Sequence, residues 1–336
     1  MARTLPAAYR DEVRTKSGAR VSVAIASAGL ALALPGAAQA AFPGANGRIA
    51  FTVEDWGPPE QCLPVPHGCE PRVISSRIET VLPDGRGRRV LQSVPGAELA
   101  WSPNGRLLAF QQGLRLAIIR HDGTGLRQLP QLTEGEQEPA WSPDGRRLAF
   151  VGNHPCLYCS WLYTARIDGT GLRRVVRAGA RWPSWASTGR IAFVNWDDQY
   201  MRPVPPADAL YTIRADGSRM RRLFGRYWGT GQQPDWSPDG RRIAFRARKH
   251  IFTLRADGRA LRRLTGPKRA RGQGSSDPAW SPAGDYIAFI RDYDLYVMRS
   301  NGRGLRRLID APDQVLGDPT KMWTRLGSPS WQPVPR

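Results

Sequence analysis

Four cysteines, four histidines and a scatter of carboxylates are the side chains here that could do chemistry. The cysteines fall in two pairs, Cys62 with Cys69 and Cys156 with Cys159. In an oxidising compartment each pair reads as a disulfide closing one small loop. The C-x-x-C at Cys156–Cys159 also fits redox chemistry, and His67 and His154 are the extra ligands a zinc site would use. A single C-x-x-C falls short of the paired motif of a zinc module, so disulfides are the expectation, with no metal and no cofactor assigned. His67, His121, His154 and His250 are dispersed, without an H-E-x-x-H pattern or a G-x-S-x-G elbow. No nucleophile can be matched with a base, and a non-catalytic protein is expected.

The elements that must position these residues are written into a repeat. Trp141-Ser-Pro-Asp-Gly-Arg-Arg-Leu-Ala-Phe150 recurs at Trp101–Phe110, Trp185–Phe193, Trp236–Phe245 and Trp280–Phe289, and its first half returns at Trp331. Pro presets φ, Asp bonds back to the backbone and Gly takes a positive φ, so each copy is a β-hairpin. A second hairpin follows, as in Leu162-Tyr-Thr-Ala-Arg-Ile-Asp-Gly-Thr-Gly-Leu-Arg-Arg-Val175. One repeat therefore supplies strand A ending at Trp, B at Ala-Phe, C before Asp-Gly and D at Arg-Arg-Leu. Spacings of 40, 44, 51, 44 and 51 residues between tryptophans suit four-stranded propeller blades. Gly47–Phe51 is a B strand lacking an A strand before it, and Ser328–Trp331 is an A strand lacking a B strand after it. Pairing the two predicts an all-β, six-bladed β-propeller closed by the last strand, occupying residues 41–336 as one domain.

The W-S-P-D-G-R-x-L/I-A-F signature with L-Y-x-x-x-x-D-G after it resembles the WD-like propeller repeat of the TolB family. The resemblance covers about residues 42–336 and implies a TolB-like propeller. TolB has an α/β domain ahead of its propeller, whereas only the leader is expected ahead of Phe42. The resemblance therefore implies the fold and not a place in the Tol envelope system.

That fold carries two faces. The A–B and C–D turns, short and glycine-containing, share one; the B–C and D–A connections share the other, where the long loops fall. Val53–Ser76 holds Trp56 and the first cysteine pair, Val151–Trp161 the second, and Val194–Asp208 holds Trp196, Asp197, Asp198 and Tyr200. Tyr227 and Trp228 lie in the D–A connection Phe224–Gln233. Exposed aromatics there are the expected contacts for a partner. Three residues before each strand-A tryptophan stand Glu98, Glu138, Trp182, Gln233, Asp277 and Ser328, which by repeat equivalence form a ring at the loop-rich end of the central channel. Three carboxylates in such a ring would suit Ca²⁺ or a basic peptide. A Ca-type, lactonase-like hydrolase at that mouth is the alternative to a binding protein, although these residues supply only part of the ligand set it needs.

Residues 1–40 read as a secretory signal peptide, with five basic residues, the apolar run Val21–Leu34 and the A-x-A site Ala38-Gln39-Ala40. Cleavage after Ala40 would release a chain without a transmembrane segment, secreted or periplasmic. The formal charge is +20, and losing the five basic and two acidic residues of the leader leaves +17. Export argues against nucleic acid as a partner. Arginines at fixed repeat positions, such as Arg173-Arg174 and Arg262-Arg263, read as the solvated face of edge strands. The expected partner is a protein, a peptide or another envelope component.

Overall fold

Each Ser-Pro-Asp-Gly turn is held from within by its serine. The Ser142 hydroxyl accepts the Arg147 N–H at 2.9 Å, Gly145 N donates to Ser142 O at 2.9 Å, and Asp144 Oδ1 accepts the Arg146 N–H at 3.1 Å. Gly145 has φ 66°, the left-handed region where a side chain is penalised. Ser237 repeats the arrangement with Arg242 N at 2.9 Å, and Ser142, Ser237 and Ser281 are all buried.

The computed structural model describes residues 42–57, 72–153, 160–177, 179–195, 209–225, 232–266, 274–311 and 323–334. Among these the chain forms β1 (Ala45–Gly57), β2 (Arg72–Val81) and β3 (Arg89–Gln92), then β4 (Ala97–Trp101), β5 (Leu107–Gln112), β6 (Arg115–Arg120) and β7 (Arg127–Gln128). Next come β8 (Glu136–Trp141), β9 (Arg147–Asn153), β10 (Ser160–Arg166) and β11 (Arg173–Val176), followed by β12 (Ala180–Trp185), β13 (Arg190–Asn195), β14 (Ala209–Arg214) and β15 (Arg221–Gly225). The remainder is β16 (Gln232–Trp236), β17 (Arg242–Ala247), β18 (His250–Arg255), β19 (Arg262–Arg263), β20 (Ser275–Trp280), β21 (Tyr286–Arg291), β22 (Asp294–Arg299), β23 (Arg306–Ile309) and β24 (Trp323–Val334).

These strands make six four-stranded antiparallel sheets, and the first has the order β24-β1-β2-β3. Ile49 pairs with Trp331 and Ala50 with Ser330, so the last strand closes the ring as the repeat requires. The inner strands β24, β4, β8, β12, β16 and β20 neighbour one another in that order around the channel. No described helix is long and apolar enough to cross a membrane.

The core lies between blades, in six clusters. The B-strand phenylalanines are buried and four of them stack on the cross-strand aromatic of strand C. Phe150–Tyr163, Phe193–Tyr211, Phe245–Phe252 and Phe289–Tyr296 have ring centroids 5.7–6.0 Å apart. Offset-stacked pairs of this kind add about 0.5–1.5 kcal/mol to their area burial. The strand-A tryptophans fill the seams: the Trp141 indole N–H donates to Ala100 O at 2.9 Å and that of Trp236 to Ser184 O at 3.2 Å, each reaching the preceding blade.

The outer rim is clasped by arginine. Arg173 Nη2 donates to Asp216 O at 2.7 Å, Arg221 to Asp257 O at 2.9 Å, Arg262 to Asn301 O at 3.0 Å and Arg306 to Asp84 O at 3.0 Å. In each case a D-strand arginine ties its blade to the C–D turn of the next. The first arginine of the repeated pair is therefore an interblade fastener as well as an edge-strand charge. The second serves its own blade: Arg174 lies 4.8 Å from the Trp161 ring centroid, and Arg307 bonds Asp294 at 3.2 Å.

Candidate binding site at the channel mouth

Every inner strand contains a bulge at one place. Ala97 pairs with Gln111 but Ala100 with Ala109, so three steps on β4 oppose two on β5. The same surplus occurs between Gln137 and Ala140, Arg181 and Ser184, Gln232 and Asp235, Ser276 and Ala279, and Gly327 and Ser330. The residue absorbing it is the predicted ring residue, with φ of 54° at Glu98, 57° at Glu138, 50° at Trp182, 52° at Gln233, 52° at Asp277 and 46° at Ser328. None is glycine, and each left-handed non-glycine residue costs roughly 1–2 kcal/mol. All six line a cavity of about 170 Å³ on the propeller axis, together with the strand-A tryptophans Trp101, Trp141, Trp185, Trp280 and Trp331 and the prolines that follow five of the ring residues.

The ring is sewn together at alternate junctions. Ser328 Oγ accepts the Glu98 N–H at 3.2 Å, Glu138 Oε2 accepts the Trp182 N–H at 2.5 Å, and Gln233 Oε1 accepts the Asp277 N–H at 3.1 Å. Gln233 Nε2 also donates to Asp277 Oδ1 at 2.5 Å. Glu138 is paired besides with Arg181, whose Nη2 lies 2.7 Å from Oε1 and whose guanidinium sits 5.3 Å from the Trp182 ring centroid. One layer deeper, Asp235 accepts the Trp280 N–H at 2.7 Å and the Ser184 hydroxyl at 3.2 Å, while Ser330 Oγ accepts the Trp101 N–H at 3.3 Å.

Two of the three ring carboxylates are thus committed to protein partners. The Glu98 carboxylate accepts no hydrogen bond among the described residues, and it keeps contact with the open channel. Burial, then repulsion from Glu138 and Asp277, pushes its pKa up to about 8, against the weaker pull of Arg181 and Arg325. Burial raises Asp277 and Glu138 as well, with Ser276 and Arg325 opposing it at the first and Arg181 at the second. Asp235 is pushed up to about 7 by burial, despite the bonds it accepts. The channel mouth is a crowded acidic funnel with one carboxyl group held ready.

The other sequence expectations fare differently. Trp56, read from the sequence as a loop residue, lies within β1, half-buried, with its indole N–H 3.3 Å from Glu54 Oε2. The strand runs that far because it pairs on both sides, through Trp56 with Val73 and with Trp323. Cys62, Cys69, Cys156, Cys159, His67, His154, Trp196, Asp197, Asp198, Tyr200, Tyr227 and Trp228 lie outside the described residues, as does the leader. Among the described residues no group of three or more His, Cys, Asp or Glu is arranged to hold a metal ion. Sequence reasoning missed Asp235, Ser184 and Arg181. The signal for the bulge was available in the prolines Pro139, Pro183, Pro234, Pro278 and Pro329 at one repeat position.

Fold and site together define a closed six-bladed propeller with an acidic axial funnel. Its architecture is TolB-like. TolB from Acinetobacter baumannii superposes with a TM-score of 0.61 at 16% identity, covering 85% of this chain and 67% of that one. A putative TolB from Agrobacterium tumefaciens gives 0.59 at 18% identity, covering 85% and 99%. A structure of a nidogen/laminin complex gives 0.59 at 12%, covering 85% and 100%. At these identities the likeness is one of fold. No protein-family model and no curated protein matches the chain.

Proposed function

We propose that this chain is a non-catalytic, extracytoplasmic binding propeller that engages a protein or peptide at the loop-rich face and receives one cationic side chain of it in the channel mouth. The observation carrying this reading is Glu98, a carboxyl group that accepts no hydrogen bond among the described residues, in a ring whose other acids are bonded. A guanidinium or ammonium entering the funnel would supply the missing donor and relieve the repulsion from Glu138 and Asp277. The extracytoplasmic address rests on the leader, and the protein-binding role fits an axial mouth on the face where the longer connections emerge.

The test is a capped hexapeptide containing one arginine, titrated against its citrulline twin, which keeps the shape and loses the charge. The arginine peptide should bind the wild type and lose at least about tenfold on Glu98→Gln, as expected for a charge-assisted bond. Equal binding of the two peptides would rule the reading out. Turnover of a lactone panel with Ca²⁺ would favour the hydrolase instead.

A further inference from the structure

The other end of the propeller has a different character. The six C–D turns, 82–89, 120–127, 166–174, 214–222, 255–263 and 299–307, contain twenty arginines against five aspartates, with no lysine or glutamate. All twenty arginines are exposed. The aspartates are spent within their turns: Asp84, Asp122, Asp168, Asp216 and Asp257 each accept the N–H two residues on, at 2.8–3.0 Å. Only Arg88, Arg255 and Arg307 of the twenty have a carboxylate within 4.0 Å among the described residues. The clasping arginines donate to carbonyls, which leaves their positive charge uncompensated.

The same turns expose apolar side chains. Leu172, Met220, Leu261 and Leu305 stand at one repeat position, immediately before Arg-Arg, and are 42%, 45%, 46% and 44% exposed. A polar polyanion lying on this face would need the arginines and have no use for these four residues. A flat, negatively charged surface with an apolar interior beneath it uses both, since basic side chains meet its headgroups while short apolar ones enter the acyl boundary.

We infer that the turn face is a docking surface for an anionic lipid membrane, with the C–D turn arginines on headgroup phosphates and Leu172, Met220, Leu261 and Leu305 as shallow wedges. The six C–D turns are all short, and charge recurs in every one of them around the ring instead of along one groove, which suits a plane better than a strand of polymer. Strand A runs from the channel mouth to this face, so a propeller resting on lipid presents its acidic funnel away from the bilayer.

Co-sedimentation with vesicles of phosphatidylcholine, alone and with about a third of phosphatidylglycerol, tests the inference. The protein should pellet with the anionic vesicles only, and 1 M salt should release it, because screening shortens to about 3 Å there. Arg219→Glu/Arg259→Glu/Arg303→Glu changes turn residues whose side chains make no hydrogen bond or ion pair among the described residues, and should weaken binding at least about tenfold. Leu172→Ser/Leu261→Ser/Leu305→Ser should weaken it severalfold with melting unchanged. Retention on polygalacturonate without binding to vesicles would overturn the inference. So would vesicle binding that the serine variant leaves untouched, since that describes a polyanion site indifferent to lipid. Should the charge-reversal variant fail to fold, the wild-type salt series and the serine variant decide the matter.

Discussion

The Glu138 carboxylate accepts the backbone N–H of Trp182 at 2.5 Å, across the seam between two blades, while holding Arg181 in an ion pair. One buried acid thereby fixes the next blade at two consecutive residues. Glu138→Ala would strand Arg181 and the Trp182 amide together; because the Arg181 side chain is 34% exposed, the loss should fall below the about 3–5 kcal/mol of a fully buried pair broken on one side. Glu138→Gln keeps an acceptor for the amide and should cost less than half as much. Urea midpoints of the two variants check this order.

Closure by the last strand predicts that truncation before Ser328 is severe. It removes Trp331 from its cluster, the Ser328 and Ser330 bonds to Glu98 and Trp101, and the Gln332 bond to Gly105 O at 2.8 Å. Losing one buried tryptophan alone costs about 3–5 kcal/mol. The truncated chain should melt more than about 10 °C lower in calorimetry, and an unchanged melting temperature would contradict the closure.

Repeat arithmetic on the tryptophans was enough to place six blades, the closing strand and the ring of Glu98, Glu138, Trp182, Gln233, Asp277 and Ser328. Each depends on local signals, such as Ser-Pro-Asp-Gly, that act within a few residues. The direction in which the ring faces was not legible, because it hangs on a left-handed residue at a bulge, and glutamate or tryptophan does not announce that conformation as glycine would. The arginine clasps were hidden for another reason. Arg173 and Asp216 meet only once two blades are packed, and nothing within either hairpin encodes that distance.

Those clasps yield a contrast between two exposed arginines. Arg173→Ala loses a bond to the next blade and should cost about 0.5–1.5 kcal/mol, the net worth of one hydrogen bond. Arg219→Ala, whose side chain makes no hydrogen bond among the described residues, should stay within about 0.5 kcal/mol of wild type. Chemical denaturation of both proteins checks the difference.

The raised pKa of Glu98 sets a pH dependence with a definite sign. Between its ordinary value of 4.5 and about 8 the folded chain holds a proton that the unfolded chain releases. Stability contributed by this group is therefore complete below 4.5 and is lost as pH climbs through 8. Asp235, raised to about 7, acts in the same direction. Glu98→Gln should melt with the wild type near pH 4.5 and at least about 2 °C above it at pH 8.5.

Glu98→Gly removes both the carboxyl group and the left-handed strain at φ 54°. It gives up no side-chain hydrogen bond, so at pH 8.5 it should exceed even Glu98→Gln, by about 1 kcal/mol. Urea midpoints compared at that pH measure the strain stored in one ring position.

The ionisation of Glu98 itself tests the proposed role of the funnel most directly. Its side-chain ¹³C carboxyl shift, followed with pH in the free protein, should titrate near 8. Saturating arginine hexapeptide should carry the midpoint down below 7, as a bound cation favours the charged form, while the citrulline twin leaves it in place. A midpoint in the ordinary carboxylate range in the free protein, or one that arginine peptide does not move, would contradict the account.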